Sequence, residues 1–403
     1  MSVWEALVGQ EDAVADLRRA VADARGGPDL FESPESVSTR AMTHAWLVTG
    51  PPGSGRSVAA VTFAAALVCP HDGCGECDSC RQARAGSHPD VEVVRPDRLS
   101  YGVEEARRLV RRAANAPTQS HWHVLVIEDA DRLTDEAVSA LLKAIEEPTP
   151  HTVWLLCAPS VEDVLPTIRS RTRLLQLRTP PIPEVAEALV TRFGVDPAMA
   201  SFAARAAQGH IGRARALATD EQARLRRQEV LRVPFRLRDL PSCFAAAADL
   251  LDAATEDAHA ITDPIDAREQ SDLMRAYGEG SEGVTQARVS RLASAALKDL
   301  QDRQKSRRTR TVRDQIDRAL VDLLALYRDV LAVQVEAGVP LVNEELRVQL
   351  AQLAAATSPD GTLLRMEAVS RARLAMQANV APLLALEALT VELRDPEVRR
   401  DAG

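Results

Sequence analysis

The feature that most constrains this chain is Gly50-Pro51-Pro52-Gly53-Ser54-Gly55-Arg56-Ser57, which follows the apolar run Trp46–Thr49 and leads into a helical stretch. An apolar strand, a Gly-rich turn and a helix in that order make a phosphate-binding loop. The glycines let backbone N–H groups approach phosphate oxygens, and the helix N-terminus adds partial positive charge. The segment matches the pattern G-x-x-x-x-G-K-[ST] in every place but one, where arginine replaces lysine. A guanidinium is planar and bulkier than an ammonium, so it attracts phosphate without reproducing the point charge that reaches the β and γ positions. Two readings stay open: a loop that binds nucleotide weakly without efficient hydrolysis, and a loop kept for its shape alone. Gly50, Gly53, Gly55, Arg56 and Ser57 are the candidate nucleotide-binding residues, with Ser57 placed to ligate Mg²⁺.

Such a loop commits the surrounding chain to an α/β fold with a largely parallel sheet. Besides Trp46–Thr49, the short apolar runs Val91–Val94, Val124–Ile127 and Val153–Cys157 read as buried strands. Val124–Ile127 leads into Glu128-Asp129-Ala130-Asp131, the form of a Walker B strand with acids at the sheet edge where ligands collect. The usual order is Asp then Glu, the first serving Mg²⁺ and the second polarising water. Here Glu128 is one methylene too long for the metal role and Asp129 one too short for the base role. A solvated acidic turn competes with any residual Mg²⁺ contact. The helix expected from Asp135 to Glu147 has Thr134 as N-cap, acids in its first turn and Pro148 as its stop. Lys143 points away from its apolar face of Val138, Leu141, Leu142 and Ile145.

A Gly, Pro and Ser-rich stretch between Arg25 and Thr43 reads as a mobile loop. Beyond Thr179-Pro180-Pro181-Ile182-Pro183 the strand signals end and Ala, Leu, Arg and Glu recur at helical spacing. The expected organisation is an α/β domain over 1–178, a small three-helix bundle over 179–220, and an all-α domain over 221–403 with a polar interruption near Tyr277–Val284. Lys305, Arg307, Arg308, Arg310 and Arg313 form the densest basic run. A solvated helix end or loop is favoured over a DNA-facing role, since several acids lie nearby and no aromatics interleave.

A net charge of −9 over 403 residues argues against a stand-alone nucleic-acid binder. The longest apolar stretch, Val58–Val68, falls short of the roughly 18–20 residues a membrane helix needs, and the N-terminus shows no export signal. A cytoplasmic location is expected. Four of the six cysteines, Cys69, Cys74, Cys77 and Cys80, cluster at x4, x2 and x2 spacing on a stretch with Gly73 and Gly75. In a cytosolic protein that clustering points to a closed Cys₄ structural Zn²⁺ site, with an Fe–S cluster as the alternative. Cys157 and Cys243 read as packed, inert thiols.

Val8-Gly9-Gln10, His44-Ala45-Trp46-Leu47, the phosphate loop, the cysteine cluster, His88-Pro89-Asp90, Leu141-Leu142-Lys143-Ala144-Ile145-Glu146-Glu147-Pro148 and Thr167-Ile168-Arg169-Ser170-Arg171 together resemble the bacterial clamp-loader AAA+ family. The resemblance runs from about residue 5 to 220 and weakens to general helicity afterwards, helped by Tyr327-Arg328-Asp329. It implies a P-loop AAA+ domain, a helical lid and a helical collar that joins ATPase subunits called τ or γ and a δ subunit in a ring-like pentamer. The assembly opens a sliding clamp and places it on primed DNA for DNA polymerase III. The altered loop and Walker B acids resemble δ′-type members more than the motor type. In the family the arginine of a Ser-Arg-Cys motif contacts the γ-phosphate bound by a neighbour. This resemblance makes Arg171 the candidate trans arginine finger, with Thr172 where the family has cysteine and Arg169 as competitor. Gly209-His210-Ile211-Gly212-Arg213-Ala214 resembles the sensor-2 segment, its arginine place falling on Gly212. The rival readings are an ATP-hydrolysing τ/γ-like motor, which would turn over ATP alone, and a Zn²⁺-dependent nucleic-acid-binding module, which would bind DNA tightly and with strong salt dependence.

Overall fold

The computed structural model describes residues 2–25, 41–96, 100–277, 286–378 and 380–395. The stretch 26–40, read as a loop, and 278–285, read as an interruption after Tyr277, lie outside the described residues. The chain divides into two compact units, Met1–Thr219 and Asp220–Gly403. Among the described residues no helix is long and apolar enough to cross a membrane.

The first unit is built on a five-stranded sheet of β1 (Ala45–Thr49), β2 (Val91–Val94), β3 (His123–Ile127), β4 (Thr152–Ala158) and β5 (Arg173–Gln176). The strand order is β2-β3-β4-β1-β5 and every pairing is parallel. β1, β3 and β4 are buried at every position, as central strands covered on both faces must be. Their alternation sorts side chains into two cores. Trp46, Val48, Val124, Val126, Val153 and Leu155 pack with Leu17 and Phe63 on one face. Leu47, Leu125, Ile127, Trp154 and Leu156 pack with Leu109 and Leu141 on the other. The sequence reading names four strands and omits β5. That strand pairs with β1 alone and buries only Leu175, so its pattern is that of a polar edge segment.

Helices α1 (Glu11–Arg25), α2 (Arg56–Val68), α3 (Asp78–Ala85), α4 (Val103–Ala113), α5 (Asp135–Glu146) and α6 (Pro166–Arg169) accompany the sheet, and α7 (Ile182–Phe193), α8 (Pro197–Ala206) and α9 (Ile211–Thr219) pack on one another after it. Thr134 Oγ1 caps α5 by accepting the Ala137 N–H at 3.2 Å. Val138, Leu141 and Ile145 of α5 are buried while Lys143 is exposed. Asp90, which follows the bend at Pro89, is buried and receives five donors from Thr118, Gln119 and Ser120 at 2.6–3.0 Å. Burial pushes its carboxyl up, but those hydrogen bonds prevail and hold it well below the usual carboxylate range.

Among its described residues the second unit has helices and no strand: α10 (Glu221–Arg236), α11 (Leu240–Ala276), α12 (Gln286–Gln334), α13 (Arg347–Ala356), α14 (Pro359–Gln377) and α15 (Pro382–Arg394), with a single 3₁₀ turn before α13. Leu250, Leu320, Leu326, Tyr327, Val369 and Leu386 belong to its core. Asp329 is buried and accepts the Val342 and Asn343 N–H groups, fixing the turn after α12. The basic run is neither a helix end nor a loop. It lies in the middle of α12, where Arg307 pairs with Asp266 and Glu269 and Arg308 with Asp263 and Asp266 of α11. The charges that read as solvated are met by acids about 40 residues earlier in the chain.

Candidate functional site

The turn between β1 and α2 takes the shape its glycines permit. Gly53 and Gly55 lie at φ +91° and +89°, where an L side chain is strained, and Gly55 caps the N-terminus of α2. A Cβ on Gly53 would fall 2.7 Å from His210 Cβ, so the absence of a side chain is what lets the start of α9 close over the loop. Gln10 clasps the arrangement from the other side. Its Nε2 donates to Ser54 O at 3.2 Å and to Arg178 O at 2.6 Å, and its Oε1 accepts the Arg178 N–H. Gly53, Arg56 and Ser57 thereby line a cleft of 370 Å³ shared with Phe193, His210 and Arg215. Ser54 Oγ and Thr49 Oγ1, beside the loop, are buried without a hydrogen-bond partner. Left-handed glycines, a helix N-terminus and an arginine on each wall fit the phosphates of a nucleotide.

The arginine that reaches the cleft is not at the position the sequence reading gave it. Gly212 lines the cleft and Arg213 does not; Arg215, one turn further along the same face of α9, does. Its guanidinium lies over the Phe193 ring at 4.6 Å. The helical i, i+3 relation to Gly212 was the available signal, and a linear register over six residues passes over it.

Arg56 turns back and donates to Gly50 O of its own loop. At the end of β3, Glu128 is buried and engaged: Arg95, just beyond β2, donates to both of its oxygens, at 3.0 and 3.2 Å. Asp129 adopts φ +52° as the chain leaves the strand. Burial and the neighbouring Asp129 push the Asp131 carboxyl up. The neighbouring backbone is held by Tyr101, whose hydroxyl donates to Glu128 O at 2.6 Å and Val94 O at 3.1 Å. Cys157 of β4 is buried and its thiol pushed up by that burial, consistent with an inert core cysteine. Cys243, in the second unit, is likewise buried with a raised thiol.

The four clustered cysteines converge. All four Sγ atoms lie within 4.8 Å of one another, with Cys69–Cys74 at 3.7 Å and Cys69–Cys77 at 3.6 Å. Four sulfurs at Zn–S distance from a common centre stand about 3.8 Å apart on a tetrahedron, so the donor set fits Zn²⁺. The four are not all on a loop: Cys77 caps α3 and Cys80 sits in its first turn. Left-handed Asp72, Gly73 and Gly75 wrap the remainder. Backbone N–H groups of His71 and Gly75 point at Cys69 and Cys80 sulfurs. Those of Glu76 and Cys77 hold the Cys74 thiol down at about 6, while burial pushes Cys77 and Cys80 up. The cluster is tied to the N-terminus, where Val3 N–H donates to Gly73 O and Trp4 Nε1 to Asp72 O, both at 3.0 Å.

Arg171 follows α6 and is exposed. Its Nε donates to Glu146, and its Nη1 to Thr167 O at 2.9 Å and Ser170 Oγ at 3.0 Å. Thr172, in the place of the family's cysteine, returns its hydroxyl to Ile168 O at 3.1 Å. Arg169 is turned inward against Val161 O. His121 stacks edge-on against His151 at 4.1 Å, and His123 is buried as β3 begins; neither is near the cysteines in the chain.

Residues 32–181 match the family described as DNA polymerase III, delta subunit. DNA polymerase III subunit gamma/tau of Mycobacterium tuberculosis is 36% identical over 173 residues, covering 41% of this chain and 30% of that protein. Subunit delta' of Bacillus subtilis is 32% identical over 172 residues, covering 42% and 52%, and subunit delta' of Escherichia coli 32% over 160 residues, covering 38% and 48%. The matches thus span about half or less of these relatives' own lengths. Over this N-terminal segment the chain is thus similar to the gamma/tau and delta' subunits of DNA polymerase III.

Proposed function

We propose that this chain is a δ′-type subunit of a bacterial DNA polymerase III clamp loader, serving ATPase partners of the τ/γ kind rather than hydrolysing ATP itself. The observation that carries the reading is the bidentate Arg95–Glu128 pair, in which a largely exposed arginine engages both oxygens of the first Walker B acid. Arg56 on its own loop carbonyl points the same way. In this reading the three-helix bundle α7–α9 is the lid, and the helical unit from Asp220 is the collar that joins τ/γ and δ subunits in a pentamer. Cys69, Cys74, Cys77 and Cys80 hold a structural Zn²⁺ that pins the N-terminus to the end of α2, and all four coordination positions are taken by protein. Arg171 is the trans arginine finger. It is exposed after a short helix, and its present partners are an exposed carboxylate and nearby polar groups that a neighbour's γ-phosphate could outcompete.

The gamma/tau relative favours a second reading, a motor subunit with its own turnover. Mixing the purified chain with τ/γ and δ subunits separates the two. The δ′ reading predicts a stable complex with DNA- and clamp-stimulated ATP turnover and no turnover by the isolated chain in Mg²⁺. Robust turnover by the isolated chain would establish the motor reading instead.

A further inference from the structure

The phosphate loop and the lid form a cleft suited to phosphates, yet the carboxylate that would serve Mg²⁺ does not fit that role. Glu128 is buried, one methylene longer than the usual metal-ligating Asp, and held on both oxygens by Arg95. A cation at that place repels a divalent ion as well as occupying its ligand. Positive charge is nonetheless plentiful. Arg56 reaches the loop from α2, where it bonds a single carbonyl, and Arg215 reaches it from α9, resting on the face of Phe193. Arginine forks bind phosphate oxygens bidentately, as a lysine does not.

We infer that this cleft binds a nucleoside di- or triphosphate without Mg²⁺, Arg56 and Arg215 clamping the phosphates from opposite walls while Arg95 takes the metal's place against Glu128. The left-handed glycines supply backbone donors, and the unpartnered Ser54 Oγ, 2% exposed, supplies a further buried polar group beside them. Bound this way, nucleotide is a fixed ligand that joins loop to lid and is not consumed, because Arg95 engages Glu128 and Asp129 is one methylene shorter than the usual water-polarising Glu. The inference rests on the loop as a phosphate site and is independent of the partners proposed above.

The test is binding of fluorescently labelled ADP and ATP to the full-length chain in Mg²⁺ and in EDTA, with thermal melting in parallel to show that each variant is folded. The wild-type chain should bind both nucleotides with affinities that agree within about threefold between the two conditions, since no metal contact is lost, and should melt higher with ADP in EDTA. Arg215→Ala should weaken binding about tenfold or more in both conditions, the scale of losing charged hydrogen bonds. Arg95→Gln, which frees Glu128, should make binding stronger in Mg²⁺ than in EDTA. Wild-type binding that requires Mg²⁺, no binding in either condition, or full affinity in Arg215→Ala would overturn the inference. Subunit assembly would still decide the loader assignment separately.

Discussion

Replacing Asp90 by Asn changes one atom, yet the structure predicts a large loss of stability. The carboxylate is 1% exposed and accepts from Thr118 N and Oγ1 on one oxygen, and from Gln119 N, Ser120 N and Ser120 Oγ on the other. An amide keeps one acceptor and sets an NH₂ against the remaining donors, two or more of which lose their partner. At about 1–3 kcal/mol for each buried donor left unsatisfied, the cost is about 3–6 kcal/mol, a large share of the roughly 5–15 kcal/mol that holds a typical domain together. For a unit of this size the melting point should drop by roughly 6–20 °C. Tryptophan fluorescence is the right probe, because Trp4, Trp46, Trp122 and Trp154 all lie in the first unit. The carboxyl is held low in the folded state, so its contribution is fully present above the unfolded-state value near about 4 and is lost only as pH falls through the folded value below it. The Asn variant should therefore melt well below wild type at pH 7, and the gap should close under strongly acidic conditions. A variant melting within 2 °C of wild type at pH 7 (about 1 kcal/mol or less) would refute the claim that this nest is anchored by charge.

Zinc analysis of the purified chain should give about one Zn²⁺ per molecule, and Cys77→Ser should abolish retention and loosen the N-terminal docking, read as faster proteolysis near Val3; iron in place of zinc would overturn the assignment. Gly53→Ala forces a Cβ against His210 and should destabilise the first unit by about 1–3 kcal/mol, measured by urea unfolding. Arg307→Ala leaves Asp266, with its side chain 8% exposed, paired with Arg308 alone. It should cost the second unit about 1–3 kcal/mol while DNA affinity, followed by fluorescence anisotropy across a salt series, stays unchanged; a fall in affinity with a shallower salt slope would show that the basic run meets DNA.

What the sequence made legible was what short-range pattern determines. The loop from Gly50 to Ser57 could be placed because strand, glycines and helix start are contiguous, and β1, β3 and β4 because strands covered on both faces are apolar at every position. The cysteine spacing announced the convergence of the four sulfurs, although Cys80's place in α3 depends on Cys77 serving as a cap. β5 escaped because an edge strand that buries one side chain leaves no pattern. Long-range pairs escaped for a different reason. Arg95 and Glu128 are 33 residues apart, and Arg307 and Asp266 are 41 apart, so nothing local in either segment points to its partner. His210 over Gly53 belongs to the same class: a glycine read as making room for phosphate also makes room for the start of α9.

The most direct test of the account compares two variants inside a reconstituted loader whose assembly is verified for each. If the chain serves its neighbours' hydrolysis and performs none, Arg171→Ala should cut DNA- and clamp-stimulated ATP turnover at the site it faces by about 10³-fold or more, while Arg56→Ala leaves turnover near wild type. Unchanged turnover in Arg171→Ala, or a collapse in Arg56→Ala, would contradict it.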